Sequence, residues 1–126
     1  MKATDLMIGD WVFAKGKLTQ VTDIDESDGI NREWIGGVVC EDAGCIRWEH
    51  IKPIPLTPEI LAKNADKIDM SYQFGGYPKT MNVMYDSRAR ARIMEGDDEY
   101  YGIELNYVHE LQHALRLCGI DKEIEL

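Results

Sequence analysis

The sequence predicts an α+β protein in which a small N-terminal β-barrel precedes an antiparallel β-sheet carrying two helices. Three observations predict it. The first fifty-odd residues hold four or five short β-favouring runs separated by tight turns, the pattern of a small closed or half-closed barrel. A proline-rich join follows at Pro53-Ile54-Pro55-Leu56. Beyond it, two stretches with helix start and stop signals bracket further strand candidates. This organisation gives units at 1–55 and 56–126, with so little linker that we expect them to pack as one body.

In the first unit, Trp11-Val12-Phe13-Ala14 is a strand and Lys15-Gly16-Lys17 its turn. Leu18 to Ile24 is the second strand: Leu18 and Val21 begin its apolar pattern, and Thr19 and Thr22 suit extended backbone. Residues 25–31 form an acidic loop. Trp34 to Cys40 is a third strand, which Gly36-Gly37 bends, and Glu41-Asp42-Ala43-Gly44 turns it into Cys45-Ile46-Arg47-Trp48. In the second unit, Thr57-Pro58-Glu59 supplies a capping hydroxyl, a proline at the first helical position and an early carboxylate. That helix runs to Asn64 or Lys67. Asp69 to Phe74 is a weaker strand candidate before the Gly75-Gly76 break; Thr80 to Tyr85, Arg88 to Met94 and Tyr100 to Leu105 follow it. Asn106 is placed to cap a helix over Tyr107 to Cys118, with Gly119 past its end and Ile120 as the following apolar contact. The tail Glu123-Ile124-Glu125-Leu126 alternates, as a short edge strand would.

With 126 residues, 44% of them hydrophobic, the chain can bury one modest core or two small ones. No run is long enough to cross a membrane, and Met1 to Asp10 carries two aspartates without a continuous apolar segment, so no secretory signal is expected. Three cysteines, an odd number, suit a reducing compartment. We therefore expect a cytoplasmic protein with no membrane partner. A net charge of −9 argues against a nucleic-acid partner, because counterion release needs clustered Lys and Arg. The acidity is shared, with six basic and ten acidic side chains in 1–57 against eight and thirteen in 58–126.

Ile8-Gly9-Asp10-Trp11-Val12, Pro53-Ile54-Pro55-Leu56-Thr57 opening a helix, and Tyr107-Val108-His109-Glu110-Leu111-Gln112 together resemble a group of small uncharacterised proteins from gut-bacterial genomes, prophages and mobile elements. The resemblance covers both ends and the join; residues 66–100 match only in being strand-rich. It implies a phage or mobile-element origin and no catalytic residue. Separately, Gly9-Asp10-Trp11-Val12 is similar to the first strand of SH3-like barrels.

The sharpest chemical signal is His109-Glu110-Leu111-Gln112-His113. On a helix this places two imidazoles one turn apart, able to share zinc, with Glu110 as general base toward a metal-bound water. Two features oppose that reading. Tyr107, Val108, Leu111, Ala114, Leu115 and Cys118 fall within about 120° of one another at ~100° per residue. His109, His113 and Arg116 then point to the opposite side, expected in water. No third ligand follows at family spacing: Arg116 and Gly119 stand where one common zinc-protease pattern has Gly and His, and only Glu123 and Glu125 remain downstream. Two exposed histidines on an amphipathic helix is the reading we prefer, with zinc as the alternative cofactor.

Four other patterns carry possible chemistry. Cys40, Cys45 and His50 have loose zinc-site spacing, but reduced cysteines beside a barrel explain them as well. Residues 23–29 mimic a calcium loop, yet taking Gly29 as the sixth position puts Ile24 at the first, where a carboxylate is needed. Arg88, Arg90 and Arg92 alternate with alanines, so one sheet face carries all three; they either bind an anionic ligand or pair across the sheet. If Met94 faces Tyr100, Arg90 faces Glu104, which favours pairing. Finally, Trp11, Trp34 and Trp48 are candidates for an aromatic peptide groove or for core. No nucleophile elbow or phosphate loop is present. The expectation is a non-enzymatic protein or peptide binder without cofactor, the alternative a zinc hydrolase using His109, Glu110 and His113.

Overall fold

The computed structural model describes residues 6–25, 37–40, 44–47, 50–76, 78–95 and 98–126. The chain divides into two compact units, Met1–Ile54 and Pro55–Leu126, each with its own antiparallel sheet.

In the first unit, β1 (Trp11–Ala14), β2 (Lys17–Asp25), β3 (Gly37–Cys40), β4 (Gly44–Arg47) and β5 (Ile51–Lys52) lie in the order β4-β3-β2-β1-β5. Lys15 and Gly16 both take positive φ, 51° and 74°, which closes a two-residue hairpin with the twist the strands require. Strand β2 serves two partners. Its first residues pair with β1 and the rest with β3, and an extra residue between Val21 and Asp23 shifts the register there. That bulge explains the three-residue spacing of Val21 and Ile24. Leu18 faces out, Val21 is buried, and the inserted residue returns Ile24 to the same core. The core itself is Leu6, Val12, Ala14, Val21, Ile46 and Ile51.

Of the closed or half-closed barrel expected, the closed form is corrected here: among the described residues the first sheet is open, with β4 and β5 as its outer strands. Strand β5 is two residues long and pairs only with β1. Pro53, which cannot donate a ladder hydrogen bond, follows it at once.

The Ile8-Gly9-Asp10 entry is a structural lock. Gly9 sits at φ 93°, and its N–H donates to the Val21 carbonyl at 2.7 Å. The Val21 N–H returns to the Asp10 carbonyl at 2.9 Å. Asp10 is fully buried, and its carboxylate accepts the Met7 N–H at 2.7 Å, so the turn before β1 is closed from inside.

The second unit runs α1 (Pro58–Asn64), β6 (Asp66–Ile68), β7 (Ser71–Gly76), β8 (Lys79–Tyr85), β9 (Ala89–Glu95), β10 (Asp98–Leu105) and α2 (Val108–Leu117). The strands form a meander, β10-β9-β8-β7-β6. Thr57 caps α1 as its sequence requires, its hydroxyl accepting the Ile60 N–H at 3.3 Å. Strand β6 was not foreseen. Positive φ at Asp69 allows a tight turn in a stretch with little β-favouring sequence, and Gly75-Gly76 ends β7 instead of separating elements.

One sheet face is buried through Tyr72, Phe74, Met81, Val83, Ala89, Ala91 and Leu105. Both helices bury residues of their own (Leu61 on α1; Val108, Leu111 and Leu115 on α2), as covering layers do. Ala89 and Ala91 are 1% exposed on that face. At the other end Asn64 replaces the expected edge strand. Its side-chain amide donates to the Glu125 carbonyl at 2.7 Å and accepts the Glu125 N–H at 2.6 Å, holding the tail while Ile124 is buried.

Replacing Asp10 by Ala leaves the Met7 amide without its buried acceptor. We expect a loss of about 1–3 kcal/mol in urea unfolding, and Asp10→Asn, which keeps an acceptor oxygen, to lose less.

Candidate functional site

The motif at 109–113 is built by the way α2 begins. The join runs beside the helix start: Pro55 bridges Tyr107, and the Leu56 N–H donates to the Asn106 carbonyl at 3.0 Å. Tyr107 is thereby kept extended, at φ −131° and ψ 156°, and becomes the cap one residue later than expected. A tyrosine offers no short acceptor for the free amides of the first turn. Glu110, at the third helical position, meets that need. One of its carboxylate oxygens accepts the N–H groups of both Asn106 and Tyr107 at 3.0 Å, the reach-back half of a capping box.

The histidines are close together, as the one-turn spacing demands: ring centroids lie 5.6 Å apart at an interplanar angle of 70°. Their expected exposure is corrected. His109 is only 6% exposed and His113 half-buried, and Gln112 is buried beside them. The buried arc of α2 is wider than its apolar stripe because the first turn is covered, with the Tyr107 ring parallel to His109 at 5.8 Å. Among the described residues no three His, Cys, Asp or Glu side chains group as a metal site. Glu110 and His113 instead line a groove of about 260 Å³ with Ile93, Ile103, Ala114 and the exposed Leu117.

The other candidates are placed as follows. Arg90 stands opposite Glu104 in the ladder, as anticipated. The turn end, however, pairs Met94 with Glu99, and an irregularity between Tyr100 and Ile103 brings the register back. The ion pairs run diagonally, Arg88 to Glu104 at 2.7 Å and Arg90 to Asp86 at 2.8 Å, all on exposed side chains. Arg92 is half-buried in register with Asn82. In β3 and β4, Cys40 pairs with Gly44 and Cys45 with Val39, so the cysteines are not cross-strand partners. Their side chains lie outside the described set, as do Trp34, Trp48 and most of the acidic loop at 23–29. His50 is exposed just before β5.

Trp11 is half-buried on the outward face of the first sheet, and it is not alone. Phe13, two residues on, is 38% exposed, and its ladder partner Leu18 is 48% exposed. Lys52 of β5 pairs with Phe13 from the other side. Lys52, Phe13 and Leu18 thus form one row across three strands, with Trp11 and Gln20 in the next row. Phe13, Leu18 and Lys52 were not among the residues singled out. The alternation Trp11-Val12-Phe13-Ala14 carried the signal, since a strand with buried Val12 and Ala14 must turn both aromatics to the other side.

No protein-family model, curated protein or solved structure matches the chain. No helix among the described residues is long and apolar enough to cross a membrane.

Removing the Glu110 carboxylate frees two amides at the start of α2. Glu110→Ala is expected to cost about 0.5–2 kcal/mol in urea unfolding, with Glu110→Gln between it and the parent. Asp86 gives a pH prediction. The Arg88 amide, then the Ser87 amide and the Arg90 guanidinium, hold its carboxyl below the ordinary 3.8. A depressed folded pKa means its stabilising contribution is complete above that value and fades as pH falls through the folded one. Carboxyl-carbon NMR should show Asp86 titrating lower than it does in the urea-unfolded chain.

Proposed function

We propose that this chain is a non-enzymatic binding or accessory protein of phage or mobile-element origin, acting in the cytoplasm and engaging a peptide segment through the outward face of its first sheet. The observation that carries the reading is the contiguous apolar surface of Trp11, Phe13 and Leu18 on regular strands. Rigid strands presenting aromatic side chains to solvent offer area for an extended segment at small entropic cost. The origin rests on the resemblance carried by residues 8–12, 53–57 and 107–112. An SH3-like ancestry for the first unit is supported by the division of β2 between β1 and β3 and by the return of β5 to β1, although the sheet is open.

A second reading, a zinc hydrolase using His109, Glu110 and His113, is favoured by the 5.6 Å approach of the two rings. It must contend with Glu110 serving as acceptor for two backbone amides. Metal analysis of untagged protein separates the two: one zinc per chain, lost on His109→Ala or His113→Ala, supports the hydrolase.

For the binding reading, random dodecapeptides displayed on phage are selected on the full chain and counter-screened on a Phe13→Ser, Leu18→Ser double variant. Enriched peptides should bind the parent at least tenfold more tightly. No enrichment, or equal binding to a folded double variant, would overturn the proposal.

A further inference from the structure

A cavity used by neither reading above lies within the second unit, where α1 ends and the tail begins. It holds about 390 Å³, inside the ~300–1,000 Å³ range of small-molecule sites. The sheet makes room for it. Strand β6 begins only at Asp66, which pairs with Gln73, so Phe74, Gly75 and Gly76 extend β7 with β8 as their sole ladder partner among the described residues. Lining the notch beside them are Gly75, the half-buried Gln73 and four charged side chains, Lys63, Asp66, Asp121 and Lys122. Glycine keeps the lining bare at position 75: its φ is 75°, and a side chain there would meet the Lys79 carbonyl oxygen at 2.6 Å.

The frame of this notch is fastened without using those charges on one another. Asn64, 6% exposed, donates its amide hydrogens to the Ile60 and Glu125 carbonyls at 2.8 and 2.7 Å, which ties the end of α1 to the tail. Lys63 adds a hydrogen bond to the Leu126 carbonyl at 2.7 Å. Among the described residues, neither lysine forms an ion pair with Asp66 or Asp121. We propose that the notch binds a compact zwitterion, a free amino acid or dipeptide. Its ammonium meets Asp66 and Asp121, its carboxylate meets Lys122 and Lys63, and the Gln73 amide serves its remaining polar atoms. This site is separate from the first-sheet face and does not rest on the binding reading above.

Size and charge balance decide the class of ligand. A sphere of the cavity's volume is about 9 Å across, close to the ~8 Å Debye length at physiological salt, so a ligand inside feels the whole lining. The lining is electrically even, two cations against two anions, in a chain of net charge −9. A ligand with anionic groups alone answers the lysines and brings like charge against Asp66 and Asp121; a purely cationic one reverses the mismatch. A zwitterion answers both signs, through charge-assisted hydrogen bonds that are stronger than neutral ones. The fastened frame holds the four groups apart before the ligand arrives, which lowers the ordering that binding requires.

The test is an amide NMR titration of the full chain with the natural L-amino acids, taken singly, and with glycylglycine. At least one should give saturable shifts at residues 63–66, 73–75 and 120–122. The α-N-acetyl derivative of the strongest binder, which keeps only the carboxylate, should bind at least tenfold more weakly. So should its amide, which keeps only the ammonium. A double variant Asp66→Asn, Asp121→Asn and a single Lys122→Gln change exposed side chains, and their spectra show directly that the fold is kept. Each should weaken the strongest binder at least tenfold. Equal affinity for either single-charge derivative would overturn the zwitterion assignment. Binding that both variants leave intact, or shifts confined to other residues, would overturn the location. No saturable shift from any amino acid or from glycylglycine would overturn the site itself.

Discussion

Two backbone amides, at Asn106 and Tyr107, converge on a single carboxylate oxygen of Glu110, and the geometry of the last helix follows from that convergence. Tyr107 is held extended by its bridge to Pro55, so the helix cannot begin earlier. A helix that begins at Val108 has its phase fixed, which turns Val108, Leu111 and Leu115 inward. The same phase puts His109 against the Tyr107 ring and His113 one turn above it. Two parts of the five-residue pattern thus have a structural origin: a carboxylate demanded by the free amides and a leucine demanded by the core. A five-letter match states residue types and spacing, but not which atoms the carboxylate already serves.

How much was legible varies by element, and the reasons are local. The Thr57-Pro58-Glu59 start of α1 was readable because capping needs only neighbours in sequence. The Lys15-Gly16 hairpin was readable for the same reason. The Arg90–Glu104 register was reached, but through a turn pairing one residue out, which the irregularity after Tyr100 compensates. The ion-pair partners could not be derived from register, because long side chains reach diagonally. The burial of His109 was missed because helical angles describe the helix alone, whereas Tyr107, the extended residue before the helix, lays its ring parallel to the imidazole. Strand β6 was absorbed into the helix before it, since Lys67-Ile68 has no β-specific pattern and its pairing with β7 supplies the strand character. The outward aromatic row was implicit in the alternation of β1, but its lysine neighbour comes from β5, and only the pairing shows that.

The two sheets handle their uncovered faces differently. The second spreads Arg88, Arg90 and Glu104 over its open side in pairs, with Asp86 at the adjoining turn; pairs this exposed contribute little stability and keep the face wetted. The first leaves Phe13 and Leu18 in water beside Lys52. Isolated exposed apolar residues are ordinary, whereas Phe13 and Leu18 are cross-strand partners. This difference in chemistry between the two open faces is the basis of the binding surface proposed on the first unit.

The register irregularity between Val21 and Asp23 has a consequence for how this segment tolerates change in length. Strand β2 reads in one parity before that point and in the other after it, so inside and outside exchange there. Loss of one codon at Thr22 would remove the inserted residue and leave Ile24 two positions after Val21, still on the buried face of a regular strand. A point substitution at the same residue disturbs one side chain. The strand can therefore lose Thr22 without inverting its faces, whereas loss of Gln20 would make Thr19 and Val21 neighbours and turn one of these two buried side chains outward.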